Sequence, residues 1–149
     1  MTNPDSDHAS QAWRAMSDLV LSHDRKDAVS EALGLSFARV RALRRLAEQP
    51  QTLRALAEQL SADPPYVTLI VDDLEERGLV KRTPHPKDRR AKLVQLTTAG
   101  RATARRANNI LDEPPAALRD LPSEDLAILL SMLEQIQMNN ERKPENSAS

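Results

Sequence analysis

One segment of the sequence concentrates residues that bind anions. Residues 81–106 contain nine basic residues and one acidic residue, although the formal net charge of the 149-residue chain is −1. The segment is centred on Asp88-Arg89-Arg90, with Lys87 before it and Lys92 after it. Charge runs are more often solvated surfaces than binding sites, but an asymmetry of this size is also typical of contacts with polyanions. The secondary structure predicted around the segment decides between a solvated surface and a polyanion-binding site.

Other kinds of chemistry find little support in the composition. The chain has no cysteine, which excludes thiol catalysis, cysteine-ligated zinc and redox sensing through sulfur. Its three glycines are too scattered to form a loop that cradles phosphates. His8, His23 and His85 belong to no carboxylate cluster with metal-ligand spacing, and three aromatic residues are too few for an RNA surface built on base stacking. We therefore predict a protein that is not an enzyme, with no catalytic residues, no metal and no cofactor.

The sequence contains no apolar segment long enough to enter a membrane. Its longest uninterrupted apolar run is Leu126–Leu130, and the polar N-terminus has no apolar signal core. A chain of this length buries enough surface to fold as one compact domain without disulfides. We therefore expect a cytoplasmic protein with no membrane partner.

Two short helices joined by a tight turn are predicted just upstream of the basic segment. Thr52 is a suitable N-cap for a first helix that ends near Leu60. Asp63 as N-cap and Pro64 at the first helical position then open a second helix that runs through Arg77. Two helices this short, joined by so tight a turn, have the spacing of a helix-turn-helix.

A β-hairpin is predicted directly after these helices. Leu79–Thr83 reads as a short strand, and Lys92–Leu96 alternates apolar and polar residues as its partner. The polar, proline-stiffened loop 84–90 between them should project from the hairpin and carry the centre of the basic segment. A helix-turn-helix followed by a hairpin with a basic loop is a winged helix-turn-helix. This setting favours polyanion contact over a merely solvated loop.

Further helices are predicted before the helix-turn-helix. Residues 1–8 are expected to be frayed, and from Ala9 onward the apolar residues follow helical spacing, with Asp24 as a candidate cap of a second segment. Ser36 precedes another amphipathic helix, which ends near Pro50.

The C-terminal part is also predicted to be helical. Thr97 is suited to cap a helix that runs to about Asp112 and breaks near Pro114-Pro115, because proline cannot donate a backbone hydrogen bond. A last helix begins near Ser123, and the tail from Asn139 is expected to fray. The predicted regions are an N-terminal dimerisation region 1–34, a winged helix-turn-helix domain 35–100, C-terminal dimerisation helices 101–140 and a flexible tail 141–149.

Several segments of the chain match a known pattern. They are Leu56-Ala57-Glu58-Gln59-Leu60, the run Val67–Val80, Asp88-Arg89-Arg90 and Leu96-Thr97-Thr98-Ala99-Gly100. Together these segments resemble the MarR family of bacterial transcriptional regulators over roughly residues 35–133. The resemblance implies a mainly α fold with a small β-hairpin wing, and a homodimer that binds double-stranded DNA at a pseudo-palindromic site. It also implies a repressor that is relieved by a small-molecule ligand.

The chemistry of the basic loop suits DNA. Arg90 has a planar, permanently charged guanidinium that fits the narrow, electronegative minor groove. Asp88 is expected to hold this guanidinium through a bidentate pair, because a carboxylate this close to DNA is otherwise unfavourable. Lys87, Arg89 and Lys92 are expected to contact phosphates, which fix the register of the protein but carry no sequence information.

The second helix of the helix-turn-helix has an unusual composition for an element that reads DNA. MarR-like proteins usually carry a basic residue near the position of Leu69, whereas the candidates for base contact here include no cation. Contacts are expected from Pro65, Tyr66, Thr68 and Leu69 through hydrogen bonds and thymine methyl groups. Arg54, at the front of the turn, is expected to add affinity for the DNA backbone.

Two aspartates on the same helix admit two interpretations. Asp72 and Asp73 either form a solvated back of the helix, or Asp72, one turn from Thr68, points toward the edge of the DNA groove. Direct base readout is therefore expected to be sparse, with specificity resting on DNA shape. The acidic helix also supports an alternative function, a winged-helix protein-interaction module that does not read DNA.

The terminal helices carry more apolar surface than a small winged helix needs to cover its own core. Trp13, Met16 and Val20 form one stripe, and apolar residues from Leu126 to Ile136 form another. We interpret both as dimer contacts, with core packing inside one subunit as the alternative.

A ligand pocket is predicted mainly from the resemblance. MarR-like regulators bind small aromatic or anionic molecules in a cleft between the dimerisation helices and the DNA-binding domain. Trp13, Met16 and Phe37 are candidates to line such a pocket for a small lipophilic or anionic effector, although apolar core is the alternative role for each. The scarcity of aromatic residues favours an aliphatic pocket.

Overall fold

Helices dominate the fold, which a computed structural model describes for residues 4–142 apart from the side chains of Pro4 and Ser6. The elements are α1 (Pro4–Ser22), α2 (Lys26–Leu33), α3 (Phe37–Glu48), α4 (Leu53–Leu60), α5 (Pro64–Glu76), β1 (Val80–Pro84), β2 (Lys92–Leu96), α6 (Thr98–Leu111), α7 (Ala116–Arg119) and α8 (Ser123–Glu141). This is the mainly α fold with a two-stranded hairpin that the sequence predicts. Over the same residues, no helix is both long and apolar enough to cross a bilayer. The chain divides into two compact units, the first ending at Glu113 and the second beginning at Pro114.

The spacing of apolar residues explains the core of the first unit. On α3 the buried residues Val40, Leu43 and Leu46 recur at every third position and so share one side of the helix. α4, α5 and the hairpin contribute their own apolar sides to the same cluster. Its largest fully buried side chains include Leu43, Leu56, Ile70, Leu74 and Val94.

Side-chain caps begin three of the helices where the sequence predicts them. The Ser36, Thr52 and Thr97 hydroxyls accept hydrogen bonds from the backbone N–H three residues further on, over 3.4, 3.2 and 3.0 Å. Asp63 stands at the N-cap of α5 but makes no side-chain cap hydrogen bond. Because the next two residues are prolines, two of the N–H groups that a cap normally satisfies are missing there.

The wing is an antiparallel hairpin with a short additional bridge. Val80 pairs with Leu96 at its base, and Pro84 pairs with Lys92 next to the loop. Gln51 adds an isolated bridge to β2, donating its N–H to the Val94 carbonyl over 3.1 Å and accepting the Val94 N–H over 2.8 Å. Gln51 is almost completely buried, and its side-chain Nε2 donates to Gln59 Oε1 over 3.2 Å. The sequence pattern did not predict this bridge, which fixes the wing to the segment before α4.

The hairpin joins α6 through a close backbone approach. Thr97 donates its hydroxyl to the Gly78 carbonyl over 2.6 Å and its N–H to the Leu79 carbonyl over 3.0 Å. Gly100 in the first turn of α6 lies against the Leu79 carbonyl, which leaves no room for a Cβ at position 100. The Leu-Thr-x-x-Gly motif is therefore the joint between the end of α5, the wing and α6.

Several predicted boundaries are wrong by a few residues. α1 begins at Pro4, so residues 4–8 are helical rather than frayed, and α8 continues to Glu141 past the predicted fraying at Asn139. β1 begins and ends one residue later than predicted, and the short α7 was not predicted at all. Asp24 accepts a hydrogen bond from the Lys26 N–H over 2.9 Å, although the N-cap position of α2 is Arg25. The predicted tail beyond residue 142 lies outside the described residues.

The second unit consists of α7 and α8, and none of their residues is buried. Within the predicted stripe, Leu126, Leu129 and Leu133 are half-buried, whereas Leu130 and Ile136 are more than half exposed. Other large apolar side chains on α8 are also exposed, namely Ile128, Met132 and Met138.

Candidate nucleic-acid interface

A groove of about 350 Å³ separates the start of α4 from the wing. Among the residues predicted to bind DNA, it brings together Arg54, Arg90 and Lys92, and it adds Arg82 from β1. Its remaining lining residues are Thr52, Leu53 and Ala91. Four cations thus face this groove with no carboxylate among its lining residues, an arrangement that attracts an anion.

The N-terminus of α4 adds its own positive potential to the groove. The first N–H groups of a helix have no partner inside the helix, and the aligned peptide dipoles leave a partial positive charge there. The Thr52 side chain satisfies the Ala55 N–H, which leaves the N–H groups of Leu53 and Arg54 for a ligand. Arg54 itself is almost fully exposed, at 90% of its side chain, and its one ion pair, with Glu58, is long at 3.9 Å. Arg54 can therefore change partner at little cost.

The loop of the wing is held by two side chains that accept backbone hydrogen bonds. His85 Nδ1 accepts from the Lys87 N–H over 3.0 Å and from the Asp88 N–H over 3.2 Å. Asp88 Oδ1 accepts from the Arg90 N–H over 2.9 Å. The predicted bidentate pair between Asp88 and the Arg90 guanidinium is wrong, because the carboxylate shapes the turn through the backbone instead. Asp88 therefore positions Arg90 without neutralising it.

The exposed residues in the first half of α5 are uncharged. Pro65, Tyr66 and Leu69 are exposed, with Leu69 at 64% and Tyr66 at 49% of their possible accessible area. Thr68 is half-buried and donates its hydroxyl to the Pro64 carbonyl over 3.0 Å. The Thr68 oxygen can therefore accept further hydrogen bonds but cannot donate one. This limits the hydrogen bonds predicted between Thr68 and DNA bases to those that Thr68 accepts.

Ion pairs occupy the aspartates of α5. Asp73 Oδ2 accepts from Arg39 Nε over 2.6 Å and from Arg77 Nε over 2.8 Å. Asp72 Oδ1 accepts from Arg82 Nη2 over 2.5 Å, and the same guanidinium reaches Glu75 over 3.1 Å. The solvated interpretation is corrected for Asp73, whose carboxylate is half-buried between two arginines, whereas Asp72 keeps 57% of its side chain exposed beside Arg82. Arginines from α3, from the end of α5 and from β1 neutralise them.

These arginines were not among the predicted functional residues. Only the Asp73–Arg77 pair has a local signal, since residues four apart on a helix face each other. Arg82 is the most buried of the group, with 18% of its side chain exposed, and it connects β1 to α5 while also lining the groove. It thus sets the position of the wing relative to the exposed surface of α5.

The Asp73 ion pairs predict a specific dependence of stability on pH. Hydrogen bonds from Arg39 and then from Arg77 lower the pKa of Asp73 below its ordinary value of 3.8. Because the folded pKa is the lower one, the stabilisation is complete above about pH 3.8 and is lost as the pH falls through the folded value. We expect Asp73→Asn to lower the melting temperature by a constant amount near neutral pH, and the difference from wild type to shrink in acid. Thermal melts from pH 7 to 2 measure this; a difference that stays constant throughout contradicts it.

The three residues predicted to line a ligand pocket differ in their surroundings. Phe37 lines a cavity of about 250 Å³ with Val20, Leu21 and Leu111, and Lys26 Nζ lies 5.4 Å from the centre of its ring. Trp13 is not among the lining residues and is 68% exposed on α1, while Met16 is half-buried on the same helix. Their grouping in one ligand pocket stays a prediction.

Comparison with known proteins finds a family likeness in part of the chain. The family model described as MarR family matches residues 35–92. The curated multiple antibiotic resistance protein MarR from Escherichia coli is 31% identical over 83 residues. Residues 35–92 of this chain are similar to the MarR family. The matched segment covers 54% of this chain and 58% of the Escherichia coli MarR protein, so it spans a little over half of that relative.

Solved structures extend the MarR likeness to the fold of most of the chain. The multiple antibiotic-resistance repressor MarR from Listeria monocytogenes has a TM-score of 0.77 at 17% identity, covering 95% of this chain and 100% of that one. A variant of MepR from S. aureus, solved bound to an oligodeoxyribonucleotide, has a TM-score of 0.63 at 23% identity, covering 88% and 96%. At these identities the likeness establishes the winged-helix fold. The segment matched by the MarR model includes every residue that lines the four-cation groove.

Proposed function

We propose that this protein is a sequence-specific, DNA-binding transcriptional regulator. The observation that carries the proposal is the groove between α4 and the wing, where Arg54, Arg82, Arg90 and Lys92 meet a helix N-terminus with no carboxylate among the lining residues. Such a site fits a backbone phosphate, while the exposed surface of α5 beside the wing fits the major groove. The MepR variant with a similar fold is solved bound to an oligodeoxyribonucleotide, which supports DNA as the partner.

Each predicted DNA-binding residue has a proposed role. Lys87, Arg89 and Lys92 bind phosphates together with Arg54, and Arg90 enters the adjacent minor groove. Pro65, Tyr66, Thr68 and Leu69 meet base edges and thymine methyl groups, with sequence preference resting largely on DNA shape. Asp88 acts by shaping the loop. We propose that the protein is a repressor whose binding to DNA is relieved by a small ligand. It acts in the cytoplasm, where the chromosome lies, and it has no catalytic activity.

The alternative function as a protein-interaction module loses its main support. It rested on the acidic composition of α5, which suggested a surface that repels DNA. Asp72, Asp73 and Glu75 are in ion pairs with arginines, so their negative charges are largely compensated. The exposed side chains of α5 that are proposed to contact DNA, Pro65, Tyr66 and Leu69, are apolar or hydroxyl-bearing.

Selection from a random pool of DNA duplexes tests the proposal. We expect enrichment of a pseudo-palindromic sequence with half-sites about one helical turn apart. Affinity for the selected duplex should fall linearly with the logarithm of salt concentration, because phosphate contacts release counterions. Equal affinity for selected and scrambled duplexes contradicts sequence-specific binding.

We further propose that the protein binds DNA as a homodimer. On α1 the apolar residues Trp13, Leu19, Val20 and Leu21 are each more than half exposed. On α8 a second set of apolar side chains, including Ile136, is about half exposed, and no residue of this helix is fully buried. Clusters of this kind are typical of association surfaces. A two-fold dimer matches the symmetry of a pseudo-palindromic site.

A charge on α1 should break this dimer. We expect wild type to have about twice the 16.6 kDa mass of one chain by light scattering. Val20→Asp should weaken the dimer at least about a hundredfold, because the new carboxylate would be buried without a partner. Leu69→Asp is the matched control, since Leu69 is similarly exposed but lies on α5. Equal masses for wild type and Val20→Asp at all concentrations contradict the proposed interface.

A further inference from the structure

A polar pocket of about 230 Å³ lies between α3 and α6, within the first unit. Its lining consists of Arg41, Arg44, Arg45 and Glu48 from α3 and Asn108 from α6, which together form the arginine pocket. Residues three and four apart on a helix are neighbours, so the three arginines share one side of α3. None of the five lines the four-cation groove or is among the residues that we propose to contact DNA. The arginine pocket is therefore a second cationic site in the first unit.

The arginines of the pocket retain hydrogen-bond donors for a ligand. Arg44 is half-buried, and its Nε donates to Asn108 Oδ1 over 2.7 Å, which orients the guanidinium and leaves the donors of both Nη atoms. Arg45 Nη1 lies 3.7 Å from Glu48 Oε1, which is longer than a hydrogen bond, and both side chains are exposed. Arg41 is exposed and forms no ion pair in the part of the chain that the structure describes. Because one carboxylate accompanies three guanidinium groups, the pocket has a net positive charge.

The size and the mixed lining of the pocket favour a protein side chain as its occupant. Its volume is below the range of about 300–1,000 Å³ that holds whole small molecules. The backbone of a nucleic acid presents a row of negative phosphates with acceptors only, so Glu48 would repel it. A polypeptide instead combines carboxylates, which accept from guanidinium groups, with backbone N–H groups, which donate to a carboxylate such as Glu48. The arginine pocket therefore fits an acidic polypeptide better than a small molecule or DNA.

We propose that the arginine pocket docks an acidic segment of a partner protein. An aspartate or glutamate side chain of that segment enters the pocket, where the Nη atoms of Arg44 and the guanidinium of Arg41 donate to its carboxylate. Arg45 binds a second carboxylate at the rim, and Glu48 accepts a backbone N–H of the segment. Because the pocket and the four-cation groove share no lining residue, the partner does not occupy the cations proposed to bind DNA.

A short peptide in which glutamate alternates with glycine, acetylated and amidated at its ends, is the probe for this site. In an NMR titration of the full-length protein without DNA, we expect saturable amide shifts at residues 41–48 and 105–108. A peptide of the same pattern with glutamine lacks the charge and should bind at these residues at least about tenfold more weakly. Equal binding of the glutamine peptide overturns the proposal. Shifts confined to residues 52–54 and 82–92 also overturn it, because they place the acidic peptide in the four-cation groove.

Substitution of Arg41 tests the pocket without disturbing the core, because this side chain is exposed and lies outside the core cluster. Arg41→Ala should weaken binding of the acidic peptide about tenfold. Arg41→Lys should restore part of the affinity, because lysine keeps the charge but lacks the planar fork of donors. Arg106→Ala is the matched control, since Arg106 is exposed on α6 but does not line the pocket. Unchanged binding in Arg41→Ala, or an equal loss in Arg106→Ala, overturns the assignment.

DNA binding by the same variant distinguishes a protein partner from a nucleic acid. Arg41→Ala should leave the affinity for a duplex of mixed sequence within about twofold of wild type, because Arg41 does not line the four-cation groove. A salt-dependent loss as large as that of Arg54→Ala would assign the pocket to DNA phosphates and overturn the proposal. If wild type binds no DNA at all, the proposed function fails, while the peptide titration still decides the docking site.

Discussion

Replacing Arg54 and Arg90 together by alanine should lower the affinity for a selected DNA duplex by about 3 kcal/mol, roughly a hundredfold. The two residues face one groove from opposite sides, Arg54 from the start of α4 and Arg90 from the wing. Removing both leaves Arg82 and Lys92 in the groove, and Arg82 is already committed to Asp72 and Glu75. The slope of log affinity against log salt concentration should become shallower by about 2, because two cations no longer displace counterions. Fluorescence anisotropy at several salt concentrations measures both quantities.

The single variants distinguish the two proposed roles. Arg54→Ala should weaken binding to all duplexes by a similar factor, because phosphate contacts carry no sequence information. Arg90→Ala should in addition reduce the preference for A·T-rich flanks, whose narrow minor groove attracts a guanidinium. If Arg90→Ala also weakens binding to all duplexes by a similar factor, Arg90 contacts a phosphate rather than the minor groove.

Fold stability offers the control for these measurements. Arg54 and Arg90 are exposed, and neither packs into the core. Their substitution should therefore leave the free energy of unfolding within about half a kcal/mol of the wild-type value. Arg105→Ala, which removes an exposed arginine outside the groove, should leave DNA affinity nearly unchanged. An Arg105→Ala loss as large as that of Arg54→Ala would mean that overall charge, rather than the groove, determines binding.

The sequence correctly predicts features that depend only on residues close to one another along the chain. The caps at Ser36, Thr52 and Thr97 are correct because each hydroxyl needs only the N–H three residues away. The MarR resemblance was carried by short motifs of the same local kind, and it led to the correct fold.

Features that depend on distant partners could not be predicted. Arg39 and Asp73 are 34 residues apart, and nothing in the spacing indicates that their side chains meet. The bridge of Gln51 to Val94 is also a product of tertiary packing, because one residue carries no strand pattern. These unpredicted contacts changed the interpretation of the site most, since they compensate the acidic charge of α5.

The wing joint depends on the absence of a single side chain at Gly100. A Cβ there would overlap the Leu79 carbonyl oxygen and lie 2.9 Å from the carbonyl carbon, with Leu96 Cβ at 3.3 Å on another side. The carbonyl cannot withdraw freely, because it accepts the Thr97 N–H over 3.0 Å. Although alanine is the better helix former by about 0.5–1 kcal/mol, this overlap should dominate.

We therefore expect Gly100→Ala to destabilise the protein by about 3 kcal/mol, which at this chain length lowers the melting temperature by roughly 6–12 °C. Gly78→Ala is the informative comparison, because Gly78 has a φ of +75° but a Cβ added there would meet no atom within 4 Å. Gly78→Ala should lower the free energy of unfolding only through backbone strain, by about 1–2 kcal/mol. Urea unfolding of both variants measures the difference; equal costs would mean that backbone conformation, rather than the close approach to Leu79, explains the glycine of the motif. A larger cost at Gly100 would establish that the joint sets how closely the wing can approach α6, and hence where Arg90 is presented.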